Sequence, residues 1–205
     1  METPIYFKQL EEDDESKFKL VCWPRRSGKT TYIANQIANS FMRRENLLVV
    51  APNRSILEGL IYNSNNILGQ SPLVYNLVKN ITVNTIGTKF STVFYNTCFS
   101  SEPIRGQNFD KILIEEGEML TDKQWRNLFP NIENTPTEIF FTPIIYKKNN
   151  VPLVKDLWDN CTNKWETYRI DYKFMPNWKE IRKMKDTISK EDWKTQFLCE
   201  WVEIE

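Results

Sequence analysis

The sequence predicts an α/β protein with a mostly parallel central sheet and helices on both of its faces. Short apolar runs alternate with segments of helical periodicity over much of the chain. These runs lack polar alternation, which is typical of parallel strands covered on both faces. A glycine-containing segment and a pair of acids directly follow two of the runs, at the strand ends where open α/β sheets bind ligands. The order of the elements therefore predicts three layers.

Composition is that of a globular protein and excludes several kinds of chemistry. The 205 residues suit one domain, and 40% hydrophobic with 26% charged residues is ordinary for a soluble protein. With 27 basic and 27 acidic residues, no bulk positive field indicates a nucleic-acid partner. Histidine is absent from the sequence, which excludes histidine acid/base catalysis and histidine metal ligands.

The cysteines and the N-terminus predict the compartment. The four cysteines are far apart and predict reduced thiols in a cytosolic protein. The acidic N-terminal segment does not resemble a signal peptide, and no apolar run approaches the ~18 to 20 residues of a membrane span. We therefore expect a soluble intracellular protein without membrane contact.

Periodicity predicts the individual elements. Predicted strands cover residues 18–23, 46–52, 81–86, 91–95, 110–116 and 138–143. Helical spacing follows Thr30, again at 55–68, and after Thr121, which forms a predicted capping box with Gln124. The acidic run 11–15 is expected to be a solvated turn.

The chain changes in character after about residue 143. A polar loop, a short amphipathic helix at 152–158, an edge strand at 165–172 and a final helix capped by Ser189 are predicted there. We predict an N-terminal segment (1–17), a P-loop core (18–143) and a C-terminal part of the same domain (144–205). That last part is expected to lead towards a second domain that is missing or absent.

The stretch VCWPRRSGKTT, residues 21–31, predicts a phosphate-binding loop. Gly28, Lys29 and Thr30 match the end of the pattern G-x-x-x-x-G-K-[ST], although Trp23 occupies the first glycine position. Backbone N–H groups of residues 26–30 would surround the β-phosphate, with Lys29 on the β/γ oxygens and the Thr30 hydroxyl on Mg²⁺. The predicted ATP-binding residues are Pro24, Arg25, Arg26, Ser27, Gly28, Lys29, Thr30 and Thr31. The alternative is a glycine turn that caps an ordinary helix.

Two adjacent carboxylates end the strand ILIEE. We predict that Glu115 orients a Mg²⁺-bound water and that Glu116 polarises the water attacking the γ-phosphate. The alternative is a solvated turn, EEGE, which contains a third acid at Glu118. Thr142 ends the next apolar strand, and we predict that it senses the γ-phosphate.

The stretches PRRSGKTT, IRGQNFDKILIEEGEML, IFFTP and DWKTQFLCEW resemble the ATPase domain of large terminase subunits, the viral DNA-packaging motors. The resemblance spans residues 18 to 201. It implies a RecA-like (ASCE) P-loop fold and a motor that hydrolyses ATP with Mg²⁺ to move double-stranded DNA into a procapsid. The family tolerates loss of the first P-loop glycine and often has an arginine within the loop. The Glu at position 115 departs from the more usual Asp.

The resemblance assigns further residues by position. Arg25 matches the loop arginine that engages the γ-phosphate or couples to subunit contacts. Arg105 matches the arginine finger that reaches a neighbouring subunit's ATP. Gln9 lies where the family often has an adenine-reading glutamine. A plain surface role is the alternative for Arg105, and we interpret Arg26 as a solvent-facing charge.

The resemblance also implies partners. They are double-stranded DNA, further copies of the chain in a ring, a capsid portal and a small terminase or other packaging factor, in the host cytoplasm at the portal vertex. The isolated chain is expected to be monomeric. Lys147 and Lys148 are the predicted DNA contacts. The cluster Arg182, Lys183 and Lys185 beside Trp178 is interpreted as a solvated face paired with Glu180 and Asp186. No nuclease activity is expected of these 205 residues.

Three other functions remain open from the residues alone. A helicase-type RecA-like ATPase shares both motifs but normally needs a second such domain. A nucleotide kinase needs an arginine-rich lid and an acceptor pocket, and neither is evident in the sequence. A nucleotide-binding module without hydrolysis would not need the Glu115–Glu116 pair.

Overall fold

The computed structural model describes residues 4–13, 16–82, 84–99, 104, 106–161 and 164–205. Its helices are α1 (Ile5–Glu12), α2 (Lys29–Arg43), α3 (Arg54–Gln70), α4 (Pro72–Tyr75), α5 (Asp122–Ile132), α6 (Leu153–Asp159), α7 (Trp178–Lys183) and α8 (Lys190–Leu198). Its strands are β1 (Phe18–Cys22), β2 (Leu47–Val50), β3 (Asn80–Ile81), β4 (Thr85–Gly87), β5 (Thr92–Asn96), β6 (Lys111–Ile114), β7 (Thr137–Phe141), β8 (Ile145–Lys147), β9 (Trp165–Arg169) and β10 (Val202–Ile204). Within these residues, no helix is both long and apolar enough to span a bilayer.

Eight strands form one sheet in the order β3-β4-β5-β2-β6-β7-β1-β9. The six strands from β5 to β9 in that order are parallel. Strand β4 pairs antiparallel with β5 on one side and with the edge strand β3 on the other. The predicted mostly parallel sheet is confirmed. Strand β7 lies between β1 and β6, so the segments that follow these three strands are neighbours at one edge of the sheet.

Alternate residues of the central strands enter two different cores. Val21 and Val49 pack with α1, α2 and α3 on one face, whereas Leu20 and Leu48 pack with α5 and α6 on the other. Because successive strand residues point to opposite faces, strands buried on both sides must be apolar throughout. Helices on both faces, as the sequence predicts, are confirmed.

Two local predictions are corrected. The run 11–15 was expected to be a turn, but Glu11 and Glu12 are the last residues of α1. This helix forms because Tyr6, Phe7 and Leu10 are buried against the main core. The single predicted strand 81–86 divides into β3 and β4, which pair across a turn where Thr82 N–H donates to the Thr85 carbonyl at 2.8 Å.

Residues 144–161 and 164–205 contribute strands to both sheets. Strand β9 extends the central sheet beside β1, and β10 pairs in parallel with β8 in a separate two-stranded sheet. The predicted Ser189 cap is confirmed, since its hydroxyl accepts from Asp192 N–H at 3.0 Å and opens α8. A third apolar cluster lies under this region, formed by Tyr172, Met175, Ile181, Trp193 and Phe197.

Candidate active site

The loop between β1 and α2 has the backbone geometry of an anion site. The first N–H groups of an α-helix have no intrahelical partner, and Gly28, which caps α2 with φ 88°, offers no side chain to accept from them. Such groups, at the positive end of a helix, favour phosphate. A Cβ on Gly28 would lie 3.3 Å from the Phe7 ring, in a left-handed conformation that side chains disfavour. Arg26 is also left-handed, with φ 64°.

Trp23 explains how the loop tolerates loss of the first glycine. Its side chain is buried in an aromatic cluster and stacks on Phe7, with ring centroids 5.4 Å apart. Its carbonyl points the other way and accepts from Lys29 Nζ and Thr142 Oγ1, both at 2.9 Å. The residue contributes its backbone to the site and its side chain to the core. Its φ is not positive, so glycine is not required there.

Lys29 is held by three oxygen atoms. Its Nζ donates to the carbonyls of Trp23 and Pro24 at 2.9 and 3.1 Å and to Thr142 Oγ1 at 2.6 Å. Burial lowers the pKa of the ammonium, and the charges of Glu118 and Glu115 oppose that shift. The predicted P-loop lysine therefore lies between the loop and the end of β7.

Glu115 and Thr30 are joined by a hydrogen bond between their side chains. The Thr30 hydroxyl donates to Glu115 Oε1 at 2.5 Å, and Glu115 Oε2 is buried without a hydrogen-bond partner among the described residues. Burial raises the pKa of Glu115 to about 7, and the Thr30 bond and Lys29 oppose this. An unpartnered buried carboxylate oxygen beside a hydroxyl fits Mg²⁺, which takes few protein oxygens and completes its shell with phosphates and water. Within the described ranges, no group of three or more histidine, cysteine or acidic residues is placed to hold a metal.

Glu116 adopts a strained backbone conformation. Its φ of 51° and ψ of 50° are left-handed, a region that non-glycine residues visit rarely and at a cost of about 1–2 kcal/mol. The next residue must be glycine for a different reason, because a Cβ on Gly117 would lie 2.6 Å from Ile139 Cγ2. This tight turn brings Glu116, half-buried, to the cleft instead of extending the strand.

Glu118 is a site residue that the sequence prediction missed. It was considered only as part of a solvated turn, yet it is buried, and its Oε1 accepts from the backbone N–H of Thr142 at 3.2 Å. Burial raises its pKa to about 8, against the attraction of Lys29. A single acid one residue after Gly117 offers no sequence signal of this burial, which depends on the fold around β7.

The structure brings most of the predicted residues together. One open cleft of about 630 Å³ is lined by Arg25, Arg26, Ser27, Gly28, Lys29, Thr30, Thr31, Glu115, Glu116, Glu118 and Thr142, with parts of 144–197. Pro24 contributes its carbonyl to Lys29. Arg25 is exposed at the cleft, and its N–H donates to the Gln196 carbonyl at 2.8 Å, which ties the loop to α8.

The predicted residues Gln9, Lys147 and Lys148 do not line this cleft. Gln9 is exposed on α1 and lines neither this cleft nor a more apolar one of about 900 Å³ on the other side of the loop. Lys147 and Lys148 are exposed at the end of β8. Arg105 lies outside the described residues.

Comparison with known proteins gives a structural match only. No family model matches the sequence, and no curated protein matches it either. The ATPase domain of the Thermus phage P74-26 large terminase matches with a TM-score of 0.74 and 13% identity, over 98% of this chain and 94% of that one. The chain has the fold of a large terminase ATPase domain. Both the predicted resemblance and the RecA-like α/β class are thereby confirmed at the level of fold.

Two further structures extend the comparison. The large terminase of a thermophilic bacteriophage, in complex with ATP-gamma-S, matches with a TM-score of 0.73 and 10% identity, over 96% of this chain and 51% of that one. The chain thus spans about half the length of that terminase. The Phi-28 gp11 DNA packaging motor matches with a TM-score of 0.59 and 12% identity, over 95% and 68%.

Proposed function

We propose that this chain is the ATP-hydrolysing motor domain that drives double-stranded DNA into a viral procapsid. The observation that carries the proposal is one cleft in which Lys29 and Thr30 face Glu115 and Glu116, with Thr142 beside them. These are the parts that phosphoryl transfer to water requires: a phosphate cradle, a metal-holding pair and a water-polarising acid. The terminase fold supports the proposal.

The P-loop binds the triphosphate. The N–H groups at the start of α2 hydrogen-bond to phosphate oxygens, and the Lys29 ammonium contacts the β/γ oxygens. To reach them, Lys29 exchanges one of its three present acceptors for phosphate. Arg25, exposed at the mouth of the cleft, adds positive charge near the γ-phosphate.

Glu116 orients and polarises the attacking water. Thr30 and Glu115 would hold Mg²⁺, which when bound neutralises charge on the phosphates. The Thr142 hydroxyl accepts a hydrogen bond from the Lys29 ammonium, so a shift of this ammonium changes a contact at the end of β7. The purine base fits the cleft of about 900 Å³ beside the loop, which is lined by Tyr6, Phe7, Gly28, Pro176, Asn177 and neighbouring residues.

The partners follow from the motor function. A ring of copies around the DNA would let Arg105 of one copy complete the site of the next, as the sequence resemblance implies. The capsid portal and a small terminase or other packaging factor would position this ring in the host cytoplasm. Lys147 and Lys148 remain predicted DNA contacts.

A translocation assay tests the proposal. A third strand bound to duplex DNA is displaced by a motor that moves along the duplex, and fluorescence reports its release in the presence of ATP and Mg²⁺. We expect displacement without separation of the duplex strands. Separation of the strands would instead establish a helicase. Phosphate transfer to a small-molecule acceptor would establish a kinase, and binding of ATP without turnover would leave a non-hydrolysing module.

A further inference from the structure

Another open pocket, on the C-terminal part of the chain, is basic and aromatic. It has a volume of about 510 Å³ and is lined by Tyr172, Lys173, Trp178, Arg182 and Lys185. We propose that this basic pocket binds the phosphate backbone of duplex DNA. The geometry of the pocket alone supports DNA binding, whereas a role of this binding in packaging rests on the proposed function.

The charge around the pocket is concentrated. Residues 172–186 carry five basic and two acidic side chains in a chain whose net charge is zero. The sequence interpretation placed Arg182, Lys183 and Lys185 on a solvated face, and all three are exposed. The ion pairs expected with Glu180 and Asp186 are not found among the described residues. Of the five basic residues, Lys173 forms an ion pair in the part of the chain that the structure describes. Its partner is Asp171, just before this range, at 3.8 Å, and both side chains are exposed. Arg182 and Lys185 form no ion pair in those residues, so their charges are available to phosphate.

The pocket is built on a packed support. Tyr172 and Ile181 are buried in the third apolar cluster, and the Tyr172 ring meets Trp193 at 5.2 Å between centroids. The cations next to them therefore project from a folded surface and not from a loose tail. A fixed array of cations loses less conformational freedom when it contacts phosphate.

The predicted pair Lys147 and Lys148 lies in a less favourable field. Lys147 lines a separate cleft in which the carboxylate of Asp122 accompanies the two cations Lys147 and Lys123. The lining of the basic pocket contains three cations and no acid. Because DNA affinity comes mainly from neutralised phosphates, we assign the principal DNA contact to the basic pocket.

The same segment also reaches the nucleotide cleft. Met184, between Lys183 and Lys185, lines the cleft that holds the P-loop. Asn177, the residue before Trp178, lines the apolar cleft on the other side of the loop. A movement of this segment on nucleotide binding would therefore move the cations that hold DNA, which gives the two sites a physical connection.

Binding of a fluorescent DNA duplex of mixed sequence, measured by anisotropy over a range of salt, tests the pocket. The variants are R182A/K185A, the alternative pair K147A/K148A, and K79A/K89A as a control that removes the same charge near the opposite edge of the sheet. All six side chains are exposed, and thermal unfolding checks that each variant is folded. We expect R182A/K185A to weaken duplex binding roughly tenfold and to reduce the slope of log affinity against log salt by about 2. The control should change affinity less than about twofold.

Several results would contradict the proposal that the basic pocket binds duplex DNA. They are no binding by the wild-type chain at about 50 mM salt, an equal loss in K79A/K89A, or a loss confined to K147A/K148A. A parallel titration with single-stranded DNA separates backbone contact from base stacking on Trp178. If R182A/K185A weakens only single-strand binding, the duplex proposal is wrong. ATP hydrolysis without DNA, measured on the same preparations, separates each of these failures from failure of the proposed ATPase.

Discussion

The Lys29 ammonium lies 2.6 Å from the hydroxyl of Thr142, and the two residues are 113 positions apart in the chain. That hydroxyl donates in turn to the Trp23 carbonyl at 2.9 Å, while the backbone N–H of Thr142 donates to Glu118 at 3.2 Å. Thr142 therefore connects the P-loop, the end of β7 and the turn after β6. A lysine displaced by phosphate must change this arrangement, which makes Thr142 the best candidate for a γ-phosphate sensor.

Removal of this hydroxyl should affect turnover more than nucleotide binding. T142V keeps the volume of the side chain but leaves the Trp23 carbonyl and Lys29 each without one partner, a loss on the order of 1–2 kcal/mol. We expect kcat to fall about tenfold with KM changed less than about threefold. T142S, which keeps the hydroxyl, is the matched control. Equal steady-state kinetics of T142V and T142S would refute the sensor role.

Glu118 should make stability fall as pH rises. Its folded pKa of about 8 lies above the usual 4.5, so the folded state retains a proton that the unfolded state has lost between these values. The stabilising contribution is complete below about pH 4.5 and is lost as pH approaches 8. E118Q cannot titrate at this position. The difference between its free energy of unfolding and that of wild type should therefore rise, in favour of E118Q, by on the order of 1 kcal/mol per pH unit in this window. Urea unfolding of both proteins at several pH values measures this difference in the free energy of unfolding. Parallel profiles for the two proteins would contradict the buried, protonated acid.

The left-handed backbone at Glu116 should lower the free energy of unfolding of the protein. E116Q and E116N both lack the carboxylate that we propose polarises the attacking water, but asparagine tolerates left-handed dihedrals better than glutamine. We expect E116N to have a free energy of unfolding about 0.5–1 kcal/mol above that of E116Q, with both inactive in hydrolysis. Denaturant titration of the two variants provides the comparison. A less stable E116N would show that the turn is not strained.

Arg105 should act on the ATP of a neighbouring copy. This expectation rests on the sequence resemblance alone, since the residue lies outside the described part of the chain. Specific ATPase activity should rise with protein concentration, and R105A and E116Q should each be inactive. Mixing the two variants should restore part of the activity, because some interfaces then join an intact Arg105 to an intact Glu116. An R105A variant as active as wild type at every concentration would exclude the finger.

The parts of the site that lie within local motifs could be predicted from the sequence. Lys29, Thr30 and Glu115 follow or end apolar strands, and parallel strands that share a sheet bring such residues to one edge. Thr142 was predicted from the order of the strands, and its bond to Lys29 agrees with that position.

The remaining features depend on contacts between distant residues. The burial of Trp23 among α1 aromatics, the 2.6 Å approach of Ile139 to a Cβ at Gly117, and the burial of Glu118 each require packing that no periodicity encodes. Helix α1 was missed because residues 1–15 were interpreted as one polar, acidic segment, although Tyr6, Phe7 and Leu10 within it are core residues. The pairing of the cations around Arg182 was predicted wrongly, since spacing along a helix places opposite charges nearby but does not fix their side chains.

The most direct measurement compares ATP binding with ATP hydrolysis in wild type, K29A and E116Q. E133Q, which neutralises an exposed acid after α5, is the matched control. We predict that E116Q binds ATP with Mg²⁺ within about threefold of wild type but releases phosphate at least about a hundredfold more slowly. K29A should lose binding, and E133Q should match wild type in both assays. Hydrolysis by E116Q at the rate of wild type would contradict the assignment of the cleft as the ATPase site.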